Sequence, residues 1–567
     1  MTTSGRRLTI RSGFAVFPVI LGLGLLFPML LGLVGTLLPA LGWLPVLGFR
    51  EWSIVPLQTL WQHPSFPRAL GQSLLSGWFA PVLALFVVLA LLGFGWQGRV
   101  LRWLRTSLST LLAIPHAAFA LGLLLLLGPS GWVVRGLSPA LTGWVVPPSW
   151  APGTLSLTLT LALKEIPFLL LMALSGLQQL KVDPMLRAGR AMGYSQWVAW
   201  WRLIVPRLLP MLRLPMFAVM AYSLSVVDIA LIVGPSAPGT LAVLIDRWFH
   251  LPDVAWRLPA SAGAMLLLLI TGLSLTLWWG LEHLWRYYLI RQASTGQRRS
   301  YLEWLRRPVL SIGVFVLISA LGAFLVLLVW SFSFRWSFPL PWPEVTSLAS
   351  WHRAWPRLQP ALLTTLITGL VAAFVSLVLV LGTLEYLVQK SRHSLWRGLP
   401  AWLLLPLLVP QIAFLFGVQV WLVGLAWDGQ WWTLLWSHLL YVVPYMYLSL
   451  VAPYRHFDQR YMQQARALGR SYWRALWFVK WPMLLRPILY ALAIGFAVSL
   501  AQYLPTLYVG AGRFSTITTE VVALGISADR RVLGVYAVLQ WLLPMLIFSI
   551  CLGIPRWVFR QRAQMRL

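Results

Sequence analysis

The chain has 567 residues, of which 59% are hydrophobic and only 10% charged, and its mean hydropathy is +0.77. Soluble domains carry about a quarter charged residues, so this composition excludes a soluble globular protein and predicts an integral membrane protein. The formal charge of +30 results from 44 Lys and Arg residues against 14 Asp and Glu residues. The basic residues are scattered through short connections between apolar runs, which is typical of charges that orient a membrane protein, so we expect no nucleic-acid partner.

Arg6, Arg7 and Arg11 precede about 25 apolar residues without a small-residue cleavage pattern, which favours a retained first span over a removed signal peptide. The single Cys551 lies in the last apolar run, and the eight His residues form no cluster with ligand spacing. We therefore expect neither a disulfide framework nor a metal site.

Apolar stretches long enough to cross a bilayer as a helix, about 20 residues, occur twelve times. The sequence thus predicts an all-α polytopic membrane protein with about twelve transmembrane helices. The predicted spans are approximately 14–38, 70–95, 106–128, 154–177, 210–233, 260–281, 308–334, 361–388, 399–425, 432–452, 487–509 and 532–555.

The distribution of basic residues sets the orientation of these spans. With the N-terminus in the cytoplasm, 32 Lys and Arg residues lie in cytoplasmic connections and eleven on the opposite side, while Lys164 is inside a span. Since Lys and Arg resist translocation, both termini are predicted to be cytoplasmic.

An internal repeat relates the two halves of the chain. With a shift of 276 residues, ten of the twenty positions from 190 to 209 are identical, where chance would give about two. Prolines inside apolar runs also correspond, Pro115 to Pro410 and Pro167 to Pro444. Six spans per copy place both copies in the same direction, so we predict two parallel six-helix repeats, 1–295 and 296–567, with the hydrophilic segment Glu282–Arg307 as the seam.

The most similar part of the repeat is a cytoplasmic loop in each copy, 183–212 and 458–488. Each loop is predicted to hold a short helix, a turn at Gly193 or Gly469, and an amphipathic helix that ends or kinks at Pro206 or Pro482. A basic interfacial helix is one interpretation. A compact knob that docks into a groove on a partner explains better why the Gly and the Pro recur in both copies.

The two loops resemble the cytoplasmic EAA loop of permease subunits in binding-protein-dependent ABC importers. Two six-span copies in one chain resemble the fused permeases of the ferric-iron and thiamine type. The resemblance covers essentially the whole chain and implies a bacterial inner-membrane permease whose segments Arg187–Val205 and Gln463–Trp481 are coupling helices, seated in two ABC ATPase subunits that form a homodimer. It also implies an extracytoplasmic solute-binding protein. The positions that the motif places at this contact are Arg187, Ala188, Arg190, Ala191, Gly193, Trp197 and Pro206 in the first loop, and Gln463, Ala465, Arg466, Ala467, Gly469, Trp473 and Pro482 in the second.

Two departures from the EAA pattern stand out. The position that is usually Glu is Arg187 in the first loop and Gln463 in the second, and the third position of the first loop is Gly189. Any ion pair from that Glu to the ATPase is therefore absent.

No phosphate-binding loop of the type GxxxxGK[ST] is present, and none of the four lysines follows a glycine. The chain is therefore predicted to be a transport subunit and not an enzyme, with no cofactor of its own. In this interpretation ATP and Mg²⁺ bind to the partner ATPase.

Polar residues within the predicted spans are candidates for the translocation pathway: Lys164, Glu165, Asp228 and Gln502. The segments SLSVVD and AVSLAQ match Asp228 with Gln502. Interhelical hydrogen bonding in the bundle explains such residues equally well, so both interpretations stay open.

Two functions fit two parallel six-span repeats: the membrane subunit of an ATP-driven importer and an ion-coupled secondary transporter. The duplicated loops favour the importer, because a secondary transporter has no use for them and needs more intramembrane ionisable groups than this chain offers. The sequence does not select the transported solute.

Overall fold

The computed structural model describes residues 13–137, 152–293, 296, 301–390, 401–525 and 529–560. In the first half the secondary structure elements are, in chain order, α1 Val16–Leu21, α2 Phe27–Ala40, β1 Trp43–Leu44, β2 Phe49–Arg50, α3 Val55–Gln62, α4 Phe66–Gly95, α5 Arg99–Ala113, α6 His116–Leu127, α7 Trp132–Leu137, α8 Thr154–Leu177, α9 Val182–Ala191, α10 Gln196–Ala199, α11 Val205–Ser225, α12 Asp228–Val233, α13 Leu241–Phe249 and α14 Arg257–Ala293.

The second half follows the same order. Its elements are α15 Arg306–Phe332, β3 Ser333–Arg335, β4 Val345–Thr346, α16 Ala349–Gln389, α17 Leu405–Leu408, α18 Gln411–Gly424, α19 Trp431–His456, α20 Arg460–Ala467, α21 Tyr472–Ala475, α22 Trp481–Met483, α23 Leu485–Leu500, α24 Leu504–Val509, α25 Ile517–Gly525 and α26 Arg530–Val558. Single π-helical turns link α1 to α2 (Gly22–Leu26), α10 to α11 (Trp200–Ile204) and α21 to α22 (Leu476–Lys480).

Within the described residues, ten helices are long and apolar enough to cross a membrane, and two further pairs of bent helices bring the number to as many as twelve. The only strands in that part of the chain form two short antiparallel ribbons, β1–β2 and β3–β4, in connections between spans. The prediction of an all-α polytopic membrane protein is confirmed.

Four predicted spans differ from the observed helices because the backbone breaks inside them. The predicted span 106–128 is divided at Pro115, which separates the amphipathic α5 from the apolar α6. The predicted span 399–425 bends by 104° before Pro410. In both places the proline has an extended backbone and immediately precedes the following helix. The hydropathy of the stretch does not change there, so it does not reveal the break.

The predicted spans 210–233 and 487–509 are each divided as well. The helix ending at Ser225 is followed by a break and then α12, and the helix ending at Leu500 by a break and then α24. The two short helices have the same length, and the shift that relates the two cytoplasmic loops also places the start of α12 on the start of α24. The break is therefore the same feature in both halves.

A second shared feature is the way a short helix is capped by the neighbouring long one. The Ser73 hydroxyl of α4 accepts a hydrogen bond from the Leu241 amide at 2.8 Å, and the Thr365 hydroxyl of α16 accepts one from the Ile517 amide at 2.9 Å. These bonds start α13 and α25, which correspond under the same shift as the loops. They also identify Ser73 of α4 as the counterpart of Thr365 of α16.

The two halves are interlocked through their first spans. Helix α2 packs on α18 of the second half, and α15 packs on α6 of the first half. Both contacts bring backbones together at a glycine: a Cβ on Gly417 would lie 1.9 Å from the Gly32 carbonyl oxygen, and one on Gly122 would lie 2.6 Å from the Ala323 Cβ. Small residues permit such close helix packing in membranes, where burial from water supplies no driving force.

The predicted hydrophilic seam, Glu282–Arg307, begins inside a membrane-spanning helix and not in a connection between spans. Glu282 belongs to α14, is 1% exposed, and pairs with Arg213 of α11 at 2.7 Å. Of the rest of the segment, 294–295 and 297–300 lie outside the described residues. Glu282 is therefore part of the sixth span, and an ion pair explains why a carboxylate is found there.

Candidate functional site

Both repeated loops turn at a glycine with a left-handed backbone, since φ is +84° at Gly193 and +84° at Gly469. The Gly193 amide donates to the carbonyl of Arg190 at 2.9 Å, and the Gly469 amide donates to that of Arg466 at 3.0 Å. In each loop the following amide donates to a carbonyl five residues earlier, at 3.0 and 3.1 Å. This pattern ends α9 and α20 in the same way, and an L side chain at either glycine would be strained.

The second helix of each loop also starts identically. Ser195 and Ser471 both have φ −63° and ψ 157°, and each side chain caps the helix by accepting from the amide three residues later. The π-helical turns Trp200–Ile204 and Leu476–Lys480 follow at equivalent positions. Hence the predicted helix, turn and second helix are present in both loops.

The prolines after the π turns behave differently in the two halves. Pro206 lies in the first turn of α11, and the helix from Gln196 to Ser225 continues through it, so the predicted end or kink at Pro206 is wrong. Pro206 needs no break because its missing amide falls where the wider π turn already disturbs the ladder. After Pro482 the chain bends by 77° between α22 and α23, as predicted.

Gly189, the unusual third position of the first loop, lies between the two helices of that loop. A Cβ there would lie 2.9 Å from the Ala199 Cβ and 3.2 Å from the Leu203 Cδ1. In the second loop Ala465 occupies the equivalent position and is buried. The departure from Ala is therefore a packing adjustment within the first loop.

Most of the predicted contact residues face outward. The exposed ones are Arg187, Ala188, Arg190, Ala191 and Gly193 in the first loop, and Gln463, Arg466, Ala467, Gly469 and Trp473 in the second. Trp197 does not: it is buried and stacks on Phe94 with ring centroids 3.9 Å apart. Pro206 and Ala465 are also buried, and Pro482 is half-buried, so these residues support the loops from inside.

Each loop also contacts the start of the other half. Trp473, which is 48% exposed, stacks on Phe14 just before α1, with centroids 4.9 Å apart. Leu305 and Val309, at the start of α15, pack against the cluster that contains Trp197. A displacement of either loop therefore acts on both halves.

Hydrogen bonds hold the beginning of the first loop against the end of α4. The Asp183 carboxylate accepts from Trp96 Nε1 at 2.8 Å and from Gln97 Nε2 at 3.0 Å. Arg105 of α5 lies over the Trp96 ring, 5.0 Å from its centroid. Burial lowers the pKa of Arg105, and the Asp183 carboxylate opposes that change.

The four predicted pathway residues fall into two pairs. Lys164 and Glu165, on α8, do not pair with each other. The Lys164 ammonium donates to the carbonyls of Leu111 at 3.2 Å and Ile114 at 2.6 Å, which lost their helical partners at the Pro115 break. Glu165 is 5% exposed and lies 3.9 Å from His116 Nε2. Lys164 therefore has a structural role that the sequence did not suggest.

Asp228 and Gln502 both lie at the helix breaks but are not equivalent. Asp228 is the first residue of α12, and its counterpart at the start of α24 is Leu504, so the match of Asp228 with Gln502 is wrong by two residues. Gln502 is buried in the break itself and donates to the Val498 carbonyl at 3.1 Å. The Tyr222 ring of α11 lies 5.1 Å, centroid to centroid, from the ring of His116, the residue beside Glu165.

The sequence analysis did not identify two buried carboxylates, Glu385 on α16 and Asp246 on α13, whose hydrogen-bond partners lie on other helices or loops. Both interrupt apolar runs, which was the available signal, but their partners are remote in sequence. Among the described residues no group of three or more His, Cys, Asp or Glu side chains could hold a metal ion.

Comparison with known proteins gives one informative relative, and no family model matches the chain. The inner membrane ABC transporter permease protein YnjC of Escherichia coli (strain K12) is 33% identical over 544 residues, which cover 96% of this chain and 98% of that protein. The chain belongs to the ABC transporter permeases.

Membership accounts for the apolar helices and for a membrane location, since the protein is a multi-pass inner-membrane permease of an ABC system. An ABC permease is the bilayer-spanning transport subunit of its system and works with ATPase partners. The alternative of an ion-coupled secondary transporter is therefore disfavoured.

Proposed function

We propose that the protein is the fused permease subunit of a binding-protein-dependent ABC importer, in which two EAA-type loops couple transport to two ATPase subunits. The observation that carries this proposal is the identity of the two loops in backbone geometry: the same glycine conformation, the same serine cap and the same π turn occur at equivalent positions of the two halves. Two loops of the same geometry fit two identical clefts, which a homodimer of ATPases would offer.

The coupling contact in this proposal consists of the outward-facing residues of α9 and α20. Arg187, Arg190 and Arg466 supply charge, while the exposed Met192 and Leu468 supply apolar surface at the turn. Trp197, Pro206, Ala465 and Pro482 act as supports from inside. Since Arg187 and Gln463 replace the usual Glu, seating depends on shape and on the other residues of the helices.

ATP-driven closure of the ATPase pair draws the loops together. Because each loop contacts the start of the other half, the two sets of spans rock against each other between inward and outward openings. ATP and Mg²⁺ bind to the ATPase, and both termini of the permease lie in the cytoplasm.

The translocation route in this proposal passes Glu165, Asp228 and Gln502, with Lys164 stabilising the helix break beside it. Two discontinuous spans end and restart here, and discontinuous transmembrane helices are typical of solute sites in transporters. The solute is delivered by an extracytoplasmic binding protein, as in the ferric-iron and thiamine systems. A thermal-shift screen of the binding protein that delivers the solute would identify it.

The test of the proposal is co-purification in mild detergent followed by uptake in vesicles. We expect an ABC ATPase to co-purify at two subunits per permease, and we expect uptake to need ATP and the binding protein. Uptake driven by a proton gradient without ATP, together with absence of an ATPase, would contradict the proposal.

A further inference from the structure

The second loop contains a buried ion pair. The Lys480 ammonium, at the end of the π turn, donates to Glu385 Oε2 at 2.7 Å, and the side chains are 0% and 1% exposed. Glu385 lies near the end of α16. The pair therefore ties the second loop directly to a membrane-spanning helix.

Two tyrosines also bind this carboxylate, one from a second span and one from the loop itself. The hydroxyls of Tyr454 on α19 and Tyr472 on α21 both donate to the Glu385 carboxylate. Trp481 Nε1 donates to the Tyr454 hydroxyl at 3.0 Å, and the Lys480 ammonium lies 4.2 Å from the centroid of the Tyr454 ring. One buried carboxylate thus joins the loop to the ends of α16 and α19 through charge-assisted bonds.

The first half has no equivalent of this ion pair. The alignment of the two loops places Ile204 where the second half has Lys480, and the alignment of Ser73 with Thr365 places Gly93 where it has Glu385. A Cβ on Gly93 would lie 2.7 Å from the Trp200 ring. The first loop is held here by aromatic packing, and by hydrogen bonds from Trp96, Gln97 and Gln196 at its margin.

We propose that Glu385 is a positioning residue of energy coupling, and that through Lys480 it makes the second loop the stiffer of the two connections between the ATPases and the spans. Movement of the second loop then carries α16 and α19 with it as one body, whereas the first loop is attached to the end of α4 by ring packing and by hydrogen bonds at its margin, without a buried ion pair. The two halves therefore respond unequally to ATPase closure. This inference rests on the proposed function.

The ion pair has a structural alternative, a role in folding alone, and the variants must separate the two. Single removal of Lys480 leaves a buried carboxylate without its cation and can prevent folding. The double variant Glu385→Leu/Lys480→Ile gives the second loop an apolar anchor like that of the first, which buried ion pairs often tolerate without loss of stability. The matched control is Ile204→Leu in the first loop, and Lys480→Arg keeps the charge.

The experiment uses the full complex with its ATPase and binding protein in nanodiscs and vesicles. We expect the double variant to assemble and to keep basal ATP hydrolysis within twofold of the parent. Stimulation of hydrolysis by the loaded binding protein should fall at least fivefold, and uptake per ATP at least tenfold. Lys480→Arg should keep at least half of the parental stimulation. Ile204→Leu should change neither the stimulation of hydrolysis nor the uptake per ATP more than twofold.

Spin labels at Arg474 and Lys390, both exposed and outside the proposed ATPase contact, report whether the loop and α16 move together. Their distance distribution should stay narrow through the ATP cycle in the parent and broaden in the double variant. An assembled double variant with parental stimulation and a narrow distribution would overturn the inference. If the parent itself binds no ATPase, the proposed function fails first, so the two failures are distinguishable.

Discussion

The hydroxyl of Tyr508 donates a hydrogen bond to the Asp246 carboxylate at 3.0 Å, and this bond joins the two halves of the protein through α24 and α13. Phe249, three residues after Asp246, stacks on Phe416 of the second half with centroids 4.1 Å apart. Asp246 is 7% exposed, and His250 Nδ1 lies 3.6 Å from its Oδ1 atom. Opening of the halves at this place must break the bond and unstack the rings.

Replacement of Tyr508 by Phe should therefore weaken the closed contact between the halves. A hydrogen bond to a charged group contributes about 1.5–3 kcal/mol, and here its loss leaves a buried carboxylate with one partner fewer. We expect a lower apparent unfolding temperature of the permease in detergent, measured by scanning fluorimetry. Tyr503→Phe is the control, because the described contacts of Tyr503 include no hydrogen bond from its hydroxyl, and an equal shift in both variants would show that the Asp246 bond is not the cause.

The packing of α2 on α18 predicts a sharp difference between two glycines of the same helix. A Cβ on Gly417 would meet the Gly32 carbonyl oxygen, a backbone atom that cannot turn away, whereas nothing lies within 4 Å of a Cβ on Gly424. Gly417→Ala should destabilise the interlocked halves by about 1–3 kcal/mol, as overpacking does. Gly424→Ala should be neutral or slightly stabilising, since Ala favours helix.

The abundance of monodisperse permease after detergent extraction measures this effect. We expect Gly417→Ala to lower it clearly while Gly424→Ala matches the parent. Equal abundance of the two variants would show that α2 and α18 are not in backbone contact.

Features that depend on residues close in sequence could be predicted, whereas contacts made by tertiary packing could not. Hydropathy and the repeat located the apolar helices and the turn of both loops, because those features depend on residues close in sequence, such as Gly193 and Ser195. The breaks at Pro115 and after Ser225 were missed, since a broken span has the same composition as a continuous one. The partners of Glu385 and Asp246 were beyond reach, because Lys480 and Tyr508 are brought to them only by tertiary packing.

The charge of Asp228 can be tested without changing the size of its side chain. Asn has nearly the size of Asp and is also accepted at the start of a helix, where Asp228 begins α12, so abundance and ATPase association should stay normal. We expect uptake of the identified solute to fall at least fivefold if the carboxylate lies on the route. Asp253→Asn is the matched control, because Asp253 is exposed and accepts a bond from the Ala255 amide that Asn can also accept. Parental uptake in Asp228→Asn would remove Asp228 from the pathway.

The left-handed glycines give the most direct test of the two loops. At φ +84° a Cβ is disfavoured by about 1–2 kcal/mol, and a β-branched side chain by more, so Gly469→Val should straighten or displace the turn after α20. Asn tolerates this backbone region better than other non-glycine residues, so Gly469→Asn should keep the turn. Steric clashes do not contribute to the difference between Val and Asn at this position, because nothing lies within 4 Å of a Cβ on Gly469.

We therefore expect Gly469→Val, and the equivalent Gly193→Val, to lower both co-purified ATPase and uptake at least tenfold, while Gly469→Asn stays within threefold of the parent. Insertion of the spans should be unchanged in all variants, since the turn lies outside them, and protease accessibility of the connections measures that. A Gly193→Val/Gly469→Val double variant that still binds the ATPase and still transports would show that the turns do not position the coupling contact.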